Sequence, residues 1–302
     1  MPDIAFWNKC DNKCVMCTNM KGFAAQDSSQ YRLKGQMLKM ESYLRGTGTY
    51  SKNAGKSGYL SLTGGEPTLH PEFFKLLAYF RRRLEKTPIN LLTNGRKLSD
   101  TEFTARLLKI ARPPFGFIIP VHGPNARLHD RVTGVKGSFA QTMKGLDNLF
   151  AARPAARVEL RVVLHRLNVS ALPGILKMLL EKFPDTARYR LVAVHYEIEG
   201  QSLANHRRLA LRLGDSARAL RACLGLARQF RNFELYHFPL CVLPAALRPK
   251  ARITLPPAER EYPPLKCGRC ALREKCLGLM AEYRKKFGDG ELRPRPAAGA
   301  RR

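Results

Sequence analysis

Acidic side chains are scarce in this sequence of 302 residues: 24 Asp and Glu stand against 53 Lys and Arg, a formal net charge of +29. About half of the excess lies in residues 201–302, with 22 basic and 8 acidic side chains. Such a field attracts polyanions such as RNA, DNA, acidic peptides or acidic membrane surfaces, although a solvated basic surface gives the same count without any partner. Long apolar runs are missing as well. No stretch is long enough to span a bilayer, and the opening Met1-Pro2-Asp3 has no basic-then-apolar signal, which leaves a cytoplasmic protein as the expectation. No repeat recurs at a fixed period. Nothing indicates a secreted context for a disulfide framework. The eight cysteines therefore read as metal ligands before disulfides: three lie in residues 10–17, four in residues 241–276, and Cys223 stands apart.

What is present suits one large domain plus a smaller one, with 44% hydrophobic residues to fill the cores. β-rich runs over 4–7, 59–62, 89–92, 115–121, 158–164 and 189–194 each precede a stretch of helical spacing. After Pro71, the residues Phe73, Leu76, Leu77, Phe80 and Leu84 share a face. After Ser170, read as an N-cap, Leu172, Ile175, Leu176, Leu179 and Leu180 do the same. Further helices are expected over 31–45, 100–110, 138–152 and 215–230. Six strand–helix units argue for an α/β fold with a parallel sheet and right-handed crossovers. Periodicity leaves open whether the sheet is doubly wound or a partial barrel. Either places ligands at the carboxyl ends of the strands.

From about residue 232 the pattern changes. One more strand is expected over 233–238. Then come Pro239, Pro244, Pro249, Pro256, Pro257, Pro263 and Pro264 together with the second cysteine group. So little apolar sequence fits a small irregular domain stapled by metal. The expected boundaries are 1–231, 232–292 and a disordered basic tail over 293–302.

The first cysteine group, Cys10-Asp11-Asn12-Lys13-Cys14-Val15-Met16-Cys17, follows the first strand with spacing C-x3-C-x2-C. Three thiolates on one tight loop can ligate three irons of a cubane and leave the fourth open. Structural zinc wants four ligands, and no nearby Cys or His offers a fourth. This loop resembles the signature of the radical SAM superfamily, and the resemblance spans roughly residues 3–230. It implies a partial (β/α)6 barrel. It also implies that a [4Fe-4S] cluster on Cys10, Cys14 and Cys17 binds the amino and carboxylate groups of S-adenosylmethionine (SAM) through its open iron. An electron, from a donor such as flavodoxin or ferredoxin, then breaks a carbon–sulfur bond. The resulting 5′-deoxyadenosyl radical takes a hydrogen atom from a substrate. Met16 stands where the family often has an aromatic residue near adenine, a space that a polarizable methionine fills.

Further motifs extend the resemblance. Thr63-Gly64-Gly65-Glu66-Pro67 ends the second strand. Its glycines let backbone come close to a ligand and Glu66 can accept from an ammonium group, although such runs are often only turns. After the cysteine loop it resembles the family's motif for the SAM amino group. Thr93-Asn94-Gly95 reads locally as an Asn-Gly turn. The family often has it at the rim of the SAM pocket. His122, after Pro120 where the family commonly has Ser, together with His129-Asp130 and Gly137-Ser138-Phe139, resembles a segment on the ribose and substrate side. Arg161 is placed either against the SAM carboxylate or in an ordinary barrel salt bridge. Glu199-Gly200 after strand six matches weakly.

The second group is Cys241 followed by Cys267-x2-Cys270-x5-Cys276. Four thiolates can saturate a cubane or hold zinc, and spacing alone leaves both open. C-x2-C-x5-C resembles the SPASM extension of radical SAM enzymes, whose full pattern adds a cysteine where this sequence has Met280. The resemblance implies a shortened SPASM or twitch-type module with one auxiliary [4Fe-4S] cluster on Cys241, Cys267, Cys270 and Cys276, serving as electron relay and staple. Cys223, within a helical pattern, reads as a buried small hydrophobe.

The resemblance implies an oxidoreductase-type enzyme acting on a peptide, or in natural-product or cofactor biosynthesis. No leader-binding domain is visible before Cys10, so a peptide would be recruited by a partner protein or by the basic C-terminal surface. The charge motivates two alternatives: a radical SAM enzyme that modifies RNA, against which the lack of evident stacking platforms counts, and a non-catalytic metal-stapled nucleic-acid-binding protein.

Overall fold

A computed structural model describes residues 3–46 and 58–296. Residues 297–302 of the expected tail lie outside the described residues. Eight strands form one sheet in the order β1 to β8: Asp3–Trp7, Leu60–Gly64, Ile89–Leu92, Phe115–Pro120, Arg157–Leu164, Arg190–His195, Phe233–Tyr236 and Ala251–Arg252. The pairs β1–β2, β2–β3, β3–β4, β6–β7 and β7–β8 run parallel. Chain order equals sheet order, as successive right-handed crossovers require. Among the described residues β8 does not pair back to β1, so the sheet is not a closed barrel, consistent with the partial barrel that the resemblance implies.

Helices Leu33–Leu44, Phe73–Arg83, Thr101–Ile110, Ser138–Ala151 and Leu172–Lys182 sit where the apolar spacing put them, whereas the helix expected over 215–230 is two pieces, Leu213–Ala222 and Leu224–Ala227, broken at Cys223. The start of Leu172–Lys182 differs from expectation. A 3-10 turn over Val169–Ala171 precedes it, and Ala171 is its N-cap, without a side-chain bond. Pro173 explains the shift. It occupies the first turn, where its missing N–H costs nothing, so a Ser170 cap has less to satisfy. No helix among the described residues is long and apolar enough to cross a membrane.

By contacts the chain divides into two compact units. The first holds residues up to Cys14, Asn19–Pro120 and Asn125–Leu160; the second holds Val15–Thr18, Val121–Pro124 and everything from Arg161. The first unit's core is aromatic. Phe6 on β1 meets Phe73 and Phe80 edge-on at 6.1 and 5.2 Å, and Phe73 stacks on Phe103 at 5.6 Å. These are favourable offset and edge geometries that add to plain burial.

In the second unit β6 and β7 pair Leu191 with Phe233 and Ala193 with Leu235, all four buried. The change of character at residue 232 falls inside this unit. Its Pro-rich segment is tied down by a few large side chains. Tyr283, 1% exposed, accepts the Leu213 N–H at 2.9 Å and packs against the His195 ring at 5.5 Å. A short antiparallel ladder pairs β9, Arg260–Glu261, with β10, Leu279–Met280. Met280, at the position of the absent cysteine, is buried there.

Candidate cofactor and metal sites

Beyond Trp7 the chain becomes the loop of Cys10, Cys14 and Cys17, the first exposed and the other two half-buried. In the first unit this loop is pinned by side chains just past β3. Arg96 Nη1 lies 3.1 Å from Asp11 Oδ2 and donates to Asp11 O at 2.6 Å and to Asn12 Oδ1 at 2.9 Å. Asn94 Nδ2 donates to Asp11 Oδ1 at 2.7 Å. Lys13 N–H donates to Thr133 O at 2.7 Å, and Asn12 N–H to Cys10 Sγ at 3.4 Å. In the second unit, Asn205 Nδ2 donates to Val15 O at 2.9 Å and Ser202 N–H to Cys17 O at 3.1 Å. Asp11 and Arg96 were not legible as site residues. Both flank motif residues, but only the fold shows that they pair.

The Gly64-Gly65-Glu66 turn is bonded to the lead-in of that loop. Gly65 N–H donates to Trp7 O and Glu66 N–H to Lys9 O, both at 2.7 Å. β1 slips register against β2 between Ala5 and Trp7, which brings its backbone over the turn. A Cβ on Gly64, at φ +121°, would stand 2.3 Å from Trp7 O, and one on Gly65 would stand 2.1 Å from Lys9 O. The glycines are thus required by the close approach of two strand ends. Glu66 is 2% exposed. Its Oε1 accepts from Thr68 N–H at 3.0 Å, Thr68 Oγ1 at 2.6 Å and Thr93 Oγ1 at 2.6 Å, and its Oε2 accepts from Asn94 N–H at 2.7 Å. Burial pushes its pKa up, and these four bonds to the charged form pull it part of the way back. Glu66 therefore clamps the ends of β2 and β3 together, with acceptor capacity left on Oε2.

Gly64, Gly65, Glu66 and Asn94 belong to the first unit, and His122 and Arg161 to the second. His122 is buried, and its carbonyl accepts from the buried Asn168 Nδ2 at 3.3 Å. The Arg161 guanidinium lies over the Tyr236 ring at 5.7 Å, a cation–π distance. In the segment that follows His122, Asp130 accepts from Gly137 N–H at 2.6 Å, Ser138 Oγ at 2.8 Å and Phe139 N–H at 2.8 Å. It holds the start of Ser138–Ala151. His129 is buried beside Phe139, which pushes its pKa down to about 4. Glu199 precedes the short helix Gly200–Ala204 without a side-chain bond to it, and burial together with Glu197 and Glu282 pushes its carboxyl up.

The four later cysteines come together. Cys241, Cys267, Cys270 and Cys276 line one cavity with Pro239, Tyr262 and Leu292 among its other walls. Cys241 reaches it from the turn after β7, Cys267 from the end of the short helix Pro264–Cys267, and Cys276 from the approach to β10. Burial and then the neighbouring cysteine sulfurs push the Cys267 thiol up. Main-chain donors are aimed at the sulfurs: Leu240 and Gly278 N–H at Cys276 Sγ, 3.3 and 3.4 Å, and Arg295 N–H at Cys270 Sγ, 3.4 Å. Among the described residues no three His, Cys, Asp or Glu side chains already surround one metal-ion position; these thiols line a shared cavity instead. Four soft thiolates with N–H donors suit an iron–sulfur cluster, whose sulfurs accept such bonds. Cys223, 1% exposed, takes no part.

The Radical SAM superfamily profile matches residues 4–179, more than half of the chain. The chain belongs to the radical SAM superfamily. It is 26% identical over 206 residues to the Fe-coproporphyrin III synthase of Methanosarcina barkeri, covering 67% of this chain and 46% of that protein. It is 35% identical over 114 residues to mycofactocin maturase MftC of Mycobacterium ulcerans, 38% of this chain and 29% of that one. It is 35% identical over 140 residues to the antilisterial bacteriocin subtilosin biosynthesis protein AlbA of Bacillus subtilis, 45% and 27%. The chain spans under half the length of these curated relatives. In fold, this radical SAM chain is similar to Streptococcus suis SuiB bound to S-adenosylmethionine, with TM-score 0.55 at 15% identity over 77% of this chain and 49% of that one. It is also similar to anSMEcpe with bound AdoMet, with TM-score 0.53 at 19% identity, over 77% and 62%.

Proposed function

We propose that this chain cleaves SAM reductively and uses the radical to modify a peptide or to build a cofactor or natural product. The observation that carries the reading is the direct bonding of the Gly64–Glu66 turn to the lead-in of the cysteine loop, with Asp11 in that loop held by Arg96 and Asn94. Cys10, Cys14 and Cys17 would hold the cluster. Bound there, the cluster supplies the electron that breaks the carbon–sulfur bond, replenished by a flavodoxin- or ferredoxin-type donor. The chain's own contribution is position. Arg96 neutralises Asp11 beside the thiolates, and Glu66 fixes the turn whose backbone, with Oε2, takes the SAM amino group. Asn94 completes the SAM side of the first unit; for His122 and Arg161, in the second unit, a role toward SAM rests on the family resemblance alone. Residues 232–292 form an auxiliary module in which Cys241, Cys267, Cys270 and Cys276 hold a second cluster. The relatives named for mycofactocin maturation and subtilosin biosynthesis, and the solved fold neighbour with AdoMet and a bound peptide, support a peptide or a product made from one.

The test is anaerobic reconstitution with iron and sulfide, followed by SAM, a strong reductant and an assay for 5′-deoxyadenosine beside Cys17→Ala. Product from the wild type, reduced at least a thousandfold in the variant, is expected. Zinc in place of iron, with no product, overturns the reading. The +29 charge favours RNA as the second substrate class; steeply salt-dependent tRNA or rRNA binding, with modification of the bound RNA, would establish it.

A further inference from the structure

Segment 292–296 runs along the open side of the four-cysteine cavity. Leu292 and Pro294 line the cavity directly. Arg295 N–H donates to Cys270 Sγ at 3.4 Å. Pro296 bridges antiparallel to Cys270, and Ala271 N–H donates to Arg295 O at 2.8 Å. The segment is anchored at its root. Glu291 Oε1 accepts Gly214 N–H at 3.0 Å and its Oε2 accepts from Tyr283, while Lys266 Nζ donates to Asp289 O at 2.9 Å. The strap therefore bonds one of the four sulfurs through a main-chain N–H, walls the cavity with Leu292 and Pro294, and carries two guanidinium-bearing residues, Arg293 and Arg295, beside a centre that four thiolates make anionic.

We infer that this strap is a working part of the auxiliary centre: it shields the cluster from solvent and, through the Arg295 main-chain bond to sulfur, raises its reduction potential. Hydrogen bonds to cluster sulfurs favour the more electron-rich reduced state, and solvent access governs how readily iron is lost. The inference rests on the reading of Cys241, Cys267, Cys270 and Cys276 as an iron–sulfur site.

Arg295 offers a test because it precedes Pro296, which holds it in the extended region that proline also adopts. Arg295→Pro keeps the carbonyl but replaces the N–H by a ring methylene that removes the bond and crowds Cys270 Sγ; Arg295→Ala deletes the charge and keeps the N–H. The measurement uses the full chain carrying Cys10→Ala, Cys14→Ala and Cys17→Ala, so that the auxiliary centre gives the sole iron–sulfur signal in a redox titration followed by electron paramagnetic resonance. The midpoint of Arg295→Pro is expected to lie below that of Arg295→Ala. In the same background, a chain ending at Glu291 is expected to release iron to a chelator at least tenfold faster. Equal midpoints in the Pro and Ala variants, or unchanged iron release from the shortened chain, would overturn the strap's role with the cluster reading intact. Zinc bound to the four cysteines, with no iron–sulfur signal, would instead sink the reading beneath it.

Discussion

The two cysteine sites are held in opposite ways. The loop of Cys10, Cys14 and Cys17 is contiguous in sequence and kept in shape chiefly by side chains: Arg96 on Asp11 and Asn12, and Asn94 on Asp11. The cavity of Cys241, Cys267, Cys270 and Cys276 is assembled from distant turns, and main-chain N–H groups of Leu240, Gly278 and Arg295 face its sulfurs. Under the proposed function the first site would leave one iron open for SAM, which suits a loop whose ends are clamped and whose face is exposed, and the second would be a fully ligated centre, which suits enclosure.

That contrast can be strained first with acid. His165, His195 and His237, all in the second unit, are buried, and burial pushes their pKa values down to about 4, 3 and 4; His129 in the first unit is at about 4. A histidine whose folded pKa lies below its unfolded value is bound to more protons when unfolded. Its contribution is complete above about pH 6.5 and is lost as pH falls toward 4, at up to about 1.4 kcal/mol per pH unit for each. Glu199 and Glu259, raised by burial, offset part of this below their own pKa values. Urea midpoints between pH 7 and 4.5 are expected to fall, with probes in the second unit falling first. A flat profile would remove the histidines from the account.

Glu66→Gln is the next strongest. The amide cannot accept all four bonds, and its NH2 group faces a donor, at a cost of about 2–3 kcal/mol read from the urea midpoint. The first cluster is expected to suffer and the auxiliary one to be spared. The smallest effects separate the sites most sharply. Arg96→Ala is expected to cost about 1–2 kcal/mol and to speed iron loss from the first cluster. Arg273→Ala, on the wall of the second cavity, is expected to stay within about 0.5 kcal/mol, because the donors to sulfur there belong to the main chain. Equal sensitivity of the two sites would break the comparison.

Much of the fold was legible because strand and helix periods are local. The runs over 4–7, 89–92 and 158–164 fall on β1, β3 and β5. The spacing grouped Cys241, Cys267, Cys270 and Cys276, which line one cavity, and Cys223 is buried as read, although it stands at the break between two helices rather than within one. What escaped is tertiary. Nothing in the sequence pairs Asp11 with Arg96, or turns Thr68 and Thr93 toward Glu66. The glycines after β2 looked like room for a ligand, and the structure shows that Trp7 and Lys9 carbonyls already press on them. Residues 293–296 read as part of a disordered basic tail, since a segment held through its main chain leaves no periodic trace in its side chains.

The carboxylate of Glu66 has one more consequence. It joins the amide of Thr68 to that of Asn94 through a single buried group. The turn after β2 and the end of β3 then open as one cooperative piece, so the hydrogens on those two amides should exchange with solvent together, and a disturbance on one rim of the pocket should register on the other.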